Sequence, residues 1–123
     1  MVNAGQLFDM LDDLPGRCDD YTVCFVNNNN YSRKVYPDIC DQDTYEDDDG
    51  NENDCISIYC GDGEHSFNSV AELRDILDEL KDDLGYDTEV DVELGEDSGL
   101  WMDICHRHPS VDDYHHQVDF YLN

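Results

Sequence analysis

Glu89, Asp91 and Glu93 stand at alternate positions of the stretch TEVDVELGED, Thr88 to Asp97, with Val90, Val92 and Leu94 on the positions between and beyond them. This alternation has the period of a β-strand, which sends successive side chains to opposite faces. The three carboxylates therefore form a row with neighbours about 6.7 Å apart, close to the contour spacing of phosphates along a nucleic-acid strand. Glu96 and Asp97 extend the acid past the end of the strand. Such a row repels itself, and the chemistry it offers is the binding of cations or of a basic surface.

Two other constellations could do chemistry. The segment 41–54, DQDTYEDDDGNEND, places eight acids in fourteen residues, among them Asp47, Asp48 and Asp49. If Gly50 were the sharp-turn glycine of a calcium loop, ligand positions would fall on Tyr45, Asp47, Asp49 and Ile56, and Tyr and Ile there defeat that spacing. An acidic hairpin loop is the expectation. The segment CHRHPSVDDYHH groups Cys105, His106, His108, His115 and His116. Cys105, His106 and His108 are weak zinc candidates, because no pair of cysteines stands at the usual ligand spacing. Cys105 and Cys40 could lie near each other by virtue of a sequence echo described below. Neither a nucleophile elbow, a phosphate-binding glycine loop nor a paired-histidine helix motif occurs. The expectation is a protein without catalytic residues, cofactor or dedicated metal.

The wider composition agrees. The chain has 123 residues and a formal net charge of −26, with only six Lys and Arg. Charge of this size disfavours direct contact with nucleic acid or anionic lipid and favours a basic partner. With 39% hydrophobic residues the chain can still build a core. No basic, apolar leader opens the sequence and no stretch is long and apolar enough to span a membrane. The expected compartment is the cytoplasm, and the six cysteines then read as reduced thiols; disulfides would need an oxidising compartment.

The elements that position these groups recur twice. Leu7, Met10, Leu11 and Leu14 carry helical spacing, and Leu73, Ile76, Leu77 and Leu80 repeat it 66 residues later. Asn3 with Gln6, and Ser69 with Glu72, have the spacing of capping boxes. The helices stop at Pro15-Gly16 and at Gly85. Strands are expected at 21–27 and 87–94, then at YPDIC (36–40) and WMDIC (101–105), then at 55–60 and 117–122. This reads as two tandem helix–strand–strand–strand repeats, about 2–60 and 67–122, forming one two-layer α+β domain. An antiparallel sheet with both helices on one face is the expected architecture.

Strand period sorts the faces. Tyr21, Val23, Phe25, Ile56, Ile58, Val90, Val92, Leu94, Met102, Ile104, Val118, Phe120 and Leu122 share the core side. Tyr36, Asp38, Tyr59, Glu89, Asp91, Glu93, Trp101, Asp103, Asp119 and Tyr121 share the other. Aromatic rings among carboxylates make a binding face; a solvated halophile-type surface is the plainer alternative. The stretch AGQLFDMLDDLPGRCDDYTVCF, Ala4 to Phe25, resembles small bacterial and phage proteins that open with a short helix, a Leu-Pro stop and a Val-rich strand. In size, charge and lack of catalytic motifs the whole chain resembles the phage-encoded DNA mimics, and among them the acidic anti-CRISPR proteins. That resemblance implies a partner with a basic DNA-binding groove, foremost a CRISPR effector nuclease. Restriction enzymes, DNA-repair glycosylases and histone-like proteins are the alternative targets, and a halophilic or cation-binding acidic module is the alternative class. A monomer is expected, with a dimer as the other possibility.

Overall fold

The computed structural model describes residues 2–27, 30–61, 69–94 and 99–123, with the backbone alone at 30–33. Helix α1 (Ala4–Asp12) starts at a capping box: the Asn3 carboxamide accepts the Gln6 amide at 2.9 Å, and the Gln6 side chain accepts the Asn3 amide at 3.0 Å. A 3-10 turn over Gly16–Cys18 follows the Leu-Pro stop and leads into β1 (Thr22–Asn27), β2 (Asn30–Glu46) and β3 (Glu52–Gly61). Helix α2 (Val70–Leu84) begins at Ser69, whose hydroxyl accepts the Glu72 amide at 3.1 Å. It ends at Gly85 with φ 112°, a conformation that side chains disfavour. Strands β4 (Glu89–Glu93), β5 (Trp101–Asp103), β6 (Ser110–Asp112) and β7 (Gln117–Leu122) complete the chain.

The strands form one sheet in the order β5-β4-β3-β2-β1-β7-β6. Its ends meet. Asp103 and Asn123 exchange backbone hydrogen bonds of 2.9 and 3.2 Å, the Cys105 amide donates to the Tyr121 carbonyl at 2.8 Å, and Ile104 bridges Leu122. The sheet thus curls and closes through β5 and β7. Every residue expected on the core side is in or against one apolar cluster, with Phe25, Phe120, Ile56, Ile58, Ile104 and Leu122 fully buried. Leu7, Leu11, Leu73 and Leu77 enter the same cluster from the helices, which pack on each other and, through α2, on β2 and β3. Each such side chain contributes about 1.5–3 kcal/mol of burial. Gly5 lets α1 sit against the Tyr86 ring, which occupies the space a β-carbon would need.

The domain is α+β with both helices against one mixed sheet, and several expectations need correction. The sheet is not purely antiparallel: β3 pairs with β4, and β1 with β7, in parallel. Helix α2 returns the chain to the starting end of β3, so β4 must run alongside it in the same sense. The second half has one strand more than expected, β6, which adds to β7 beside the Cys/His segment. The acidic 41–54 segment is mostly strand: Asp41–Glu46 pairs with Glu52–Ser57, leaving only a short turn. Asp47 organises that turn by accepting the Asp49 and Asn51 amides at 3.0 and 2.9 Å, and Gly50 takes φ 81°.

Candidate functional site

The outer face of β2–β5 is a grid fixed by backbone register. Valine at 90 and 92 is 1% and 0% exposed, which pins β4 with Glu89, Asp91 and Glu93 outward. Across the strands, Ile39, Tyr59, Glu93 and Trp101 align in one row. Asp41, Ser57, Asp91 and Asp103 form the next, and Asp43, Cys55 and Glu89 the third. Neighbouring strands stand about 4.8 Å apart and successive rows about 6.7 Å.

The first row is apolar in effect. The Tyr59 and Trp101 rings flank Glu93 in register and meet edge-on with centroids 5.6 Å apart, so they close over it. Glu93 is accordingly only 7% exposed, and it is not displayed in the way the strand period alone implies. Trp101 and Ile39 are 44% and 56% exposed at the two ends of this row, and Leu100, next to Trp101 in the chain, is 57% exposed.

The next two rows are acidic. Carboxylate oxygens of Glu89, Asp91 and Asp103 lie within 4.8 Å of one another. Burial, then the charges of Glu89 and Asp103, then a hydrogen bond with Asp103, push the Asp91 carboxyl up to about 6. Asp43 is held the opposite way: the Thr44 amide, the Tyr59 hydroxyl at 2.9 Å and the Ser57 hydroxyl at 3.2 Å keep it below the usual carboxylate range. Tyr45 donates its hydroxyl to Glu89, which raises the phenol. Oxygen donors in this number could hold a hard cation such as Ca²⁺ or Mg²⁺.

The described basic side chains are elsewhere. Arg17 pairs with Asp113 at 3.0 Å, Arg74 with Asp19 at 2.9 Å, and Lys81 with Asp78 and Asp82 at 2.9 and 3.0 Å. Among the described residues no ion pair reaches Glu89, Asp91 or Asp103.

The structure separates the rest of the expected face from this grid. Asp119 lies on β7, where Lys34 reaches both its oxygens at 3.2 and 3.4 Å. Tyr121 is 8% exposed, packed with Val26 and Cys105 on the outer side of β1 and β7. The Arg107 guanidinium covers its ring at 3.9 Å and Ser110 hydrogen-bonds its hydroxyl at 2.6 Å, so the ring is not presented outward. Glu96 and Asp97 lie outside the described residues. Asp48 and Asp49 are exposed at the tip of the β2–β3 ribbon, while Asp47 is spent on the turn itself.

Cys105, His106 and His108 do not converge: Cys105 is buried and the histidines point to solvent. Cys40 packs on the core side and Cys105 on the other, so the two are not neighbours. All six cysteines are free thiols; burial pushes Cys24 and Cys40 up to about 12. Sequence reasoning missed Asp41 and Asp43 as members of the acidic grid, because the segment carries too few apolar residues to show a strand period. It also missed the exposed Ile39 and Leu100.

The chain matches no protein-family description, no curated protein and no solved structure. Among the described residues no helix is long and apolar enough to cross a membrane.

Proposed function

We propose that this chain is a non-catalytic acidic inhibitor that occupies the basic groove of a nucleic-acid-binding protein. The leading case is a phage-encoded anti-CRISPR protein that takes the place of the PAM duplex on a CRISPR effector nuclease. The observation that carries this reading is the block of Asp41, Asp43, Glu89, Asp91 and Asp103, which is held on four paired strands without a described cation. A rigid two-dimensional array of negative charge suits a channel lined with Arg and Lys that otherwise holds a phosphate backbone. Exposed Trp101, Ile39 and Leu100 supply apolar contact that charge alone lacks. The net charge of −26 steers encounter with a basic partner. In this reading the protein acts as a monomer in the cytoplasm, without cofactor, membrane or nucleic acid. A restriction enzyme, repair glycosylase or histone-like protein would use the same face.

The two halves read as copies of one helix–strand–strand–strand unit. Supporting this, β1–β2–β3 and β4–β5–β7 each run as antiparallel neighbours, and the halves meet through the two parallel pairs. Duplication would match the acidic β4 row of Glu89, Asp91 and Glu93 with Thr22, Cys24 and Val26 at the outward positions of β1 in the first copy.

The test is competition between the protein and a labelled PAM-containing duplex for guide-loaded nuclease, followed by anisotropy. Competitive displacement that weakens steeply with salt is expected, and so is its loss in the Asp91→Lys/Asp103→Lys variant. Undiminished competition by that variant would move the contact off this face. A cation-binding module is the second reading, favoured by the clustered oxygens of Glu89, Asp91 and Asp103. Saturable one-site Ca²⁺ binding by calorimetry, lost in Asp91→Asn, would favour it.

A further inference from the structure

Strand β2 runs on past its first partner. Its ladder with β1 covers Asn30, Lys34 and Val35, and its register on β3 shifts between Pro37 and Ile39. From Ile39 to Glu46 only β3 pairs with it among the described residues. The reason lies in β1, which starts at Thr22, while the Tyr21 carbonyl just before it accepts the Val70 amide at the head of α2. Residues 41–46 therefore have no strand along their outer edge among those described, and Asp41, Gln42, Thr44, Tyr45 and Glu46 are exposed.

Backbone parity says which groups that edge carries. The Asp47 amide donates to the Asn51 carbonyl at 2.9 Å, so Tyr45, Asp43 and Asp41, in step with Asp47, turn their backbone groups towards β3. Gln42, Thr44 and Glu46 turn theirs outward. Two of these outward amides are held from within the strand: Gln42 donates to the Asp41 carboxylate at 2.8 Å and Thr44 to the Asp43 carboxylate at 2.9 Å. An amide that faces a neighbouring strand bonds to its carbonyl, and these two use the side chain before them instead. A depression of about 370 Å³, lined by Thr44, Tyr45, Glu46, Gly50 and Glu52, lies at the end of the same edge.

We propose that the 42–46 edge of β2 is a strand-addition site, and that its occupant is an extended segment of a protein partner rich in Lys and Arg.

An added strand would draw the Gln42, Thr44 and Glu46 backbone groups into a ladder, its carbonyls replacing the carboxylate oxygens on the two capped amides. Asp43 would stay in place, because the Ser57 and Tyr59 hydroxyls hold its other oxygen at 3.2 and 2.9 Å. Both released carboxylate oxygens would then face the incoming chain. Its basic character follows from charge complementarity: Asp41, Asp43 and Glu46 line the strand, and Glu46 with Glu52 lines the depression, which would take a Lys or Arg side chain. The same charge opposes a second copy of this chain, since each copy brings −26 and edge-to-edge pairing would set acid against acid. The contact uses the backbone of one edge rather than the carboxylates of β4 and β5, so it does not depend on the groove reading above.

Amide NMR on the whole chain at pH 7 in 0.15 M NaCl tests this with an acetylated, amidated Lys-Val-Lys-Val-Lys-Val-Lys peptide. Binding should slow exchange of the Gln42, Thr44 and Glu46 amides by at least ~tenfold. Two N-methylated peptides, one blocked at its Val amides and one at its Lys amides, carry the same charge. Only alternate amides of an added strand face β2, so one of them should bind at least ~tenfold more weakly and the other within about threefold of the parent. Equal affinity of all three peptides would mean attraction by charge alone and would overturn the proposal. So would peptide-induced changes confined to Asp91 and Asp103. Thr44→Pro removes an edge amide and none of the β3 ladder, and should weaken the parent peptide by ~tenfold; binding at wild-type strength would count against the edge. Slowing of the same amides with rising protein concentration, without peptide, would assign the edge to a second copy and overturn the basic occupant.

Discussion

Lys34 and Asp119 join the two halves of the chain across β1, and removing either should have unequal consequences. Asp119 is the more buried partner, with its side chain 17% exposed, against 36% for Lys34. Burial by itself would lower the Lys34 ammonium, but the hydrogen bond and charge of Asp119 outweigh it and the value is raised. In Lys34→Met the carboxylate stays in place beside the buried Cys24 thiol, which its charge already helps to raise, and has no other described cation. The cost should fall between the ~1 kcal/mol of an exposed pair and the ~3–5 kcal/mol of a fully buried one, at about 2 kcal/mol. In Asp119→Asn the lysine can swing into water, so the cost should be about 1 kcal/mol or less. The double variant Lys34→Met/Asp119→Asn should recover about 1 kcal/mol over Lys34→Met alone. Urea unfolding at pH 7 in 0.15 M and 1 M NaCl measures these values, the higher salt screening the general repulsion of the −26 chain. Arg17→Gln is the control, because that pair is 57% exposed on both sides and should cost the least of these variants. Asp119→Asn costing more than Lys34→Met, or Lys34→Met costing no more than Arg17→Gln, would refute the argument from burial.

Tyr121→Ala should destabilise by about 3 kcal/mol by calorimetry, since the ring is packed and hydrogen-bonded, whereas the more exposed Trp101→Ala should cost about 1 kcal/mol and act on binding instead. Leu7→Ala and Leu73→Ala, both at fully buried positions, should each cost about 2–5 kcal/mol. Equivalent places in two copies should bring those costs within about 1 kcal/mol of each other in denaturant titrations. Thiol labelling at pH 8 should show no cysteine reacting faster than the protein opens, because burial keeps the thiols protonated; a burst of labelling in native protein would contradict this.

Local signals carried much of this fold in the sequence. Helix starts at Asn3 and Ser69 rest on contacts three residues apart, and the core side of each strand follows from a period of two. What was not legible depends on neighbours distant in the chain. Parallel pairing of β1 with β7 joins residues far apart in the chain, from Thr22 with Gln117 to Asn27 with Leu122. Strand β6 is three polar-flanked residues whose pairing with β7 defines it. The 41–54 segment hides its strand period because acids and amides fill both faces; its partner β3 supplies the register. At the candidate site, strand period put Glu93 and Tyr121 outward correctly, yet both are covered. Tyr59 and Trp101 close over the first, and Arg107 and Ser110 over the second. The sorting of faces is a property of each strand, whereas exposure depends on what the adjacent strands and loops bring.

The central claim is that the β2–β5 face occupies a groove meant for nucleic acid, and order of addition in a cleavage reaction tests it most directly. Guide-loaded CRISPR effector nuclease is given the protein before, or after, a saturating PAM-containing duplex, and the fraction of duplex cut is measured. Blocked cleavage when the protein comes first, and unaffected cleavage when the duplex comes first, is the predicted result. The Asp91→Lys/Asp103→Lys variant should be inactive in both orders. Equal inhibition in both orders, or full inhibition by that variant, would contradict the account.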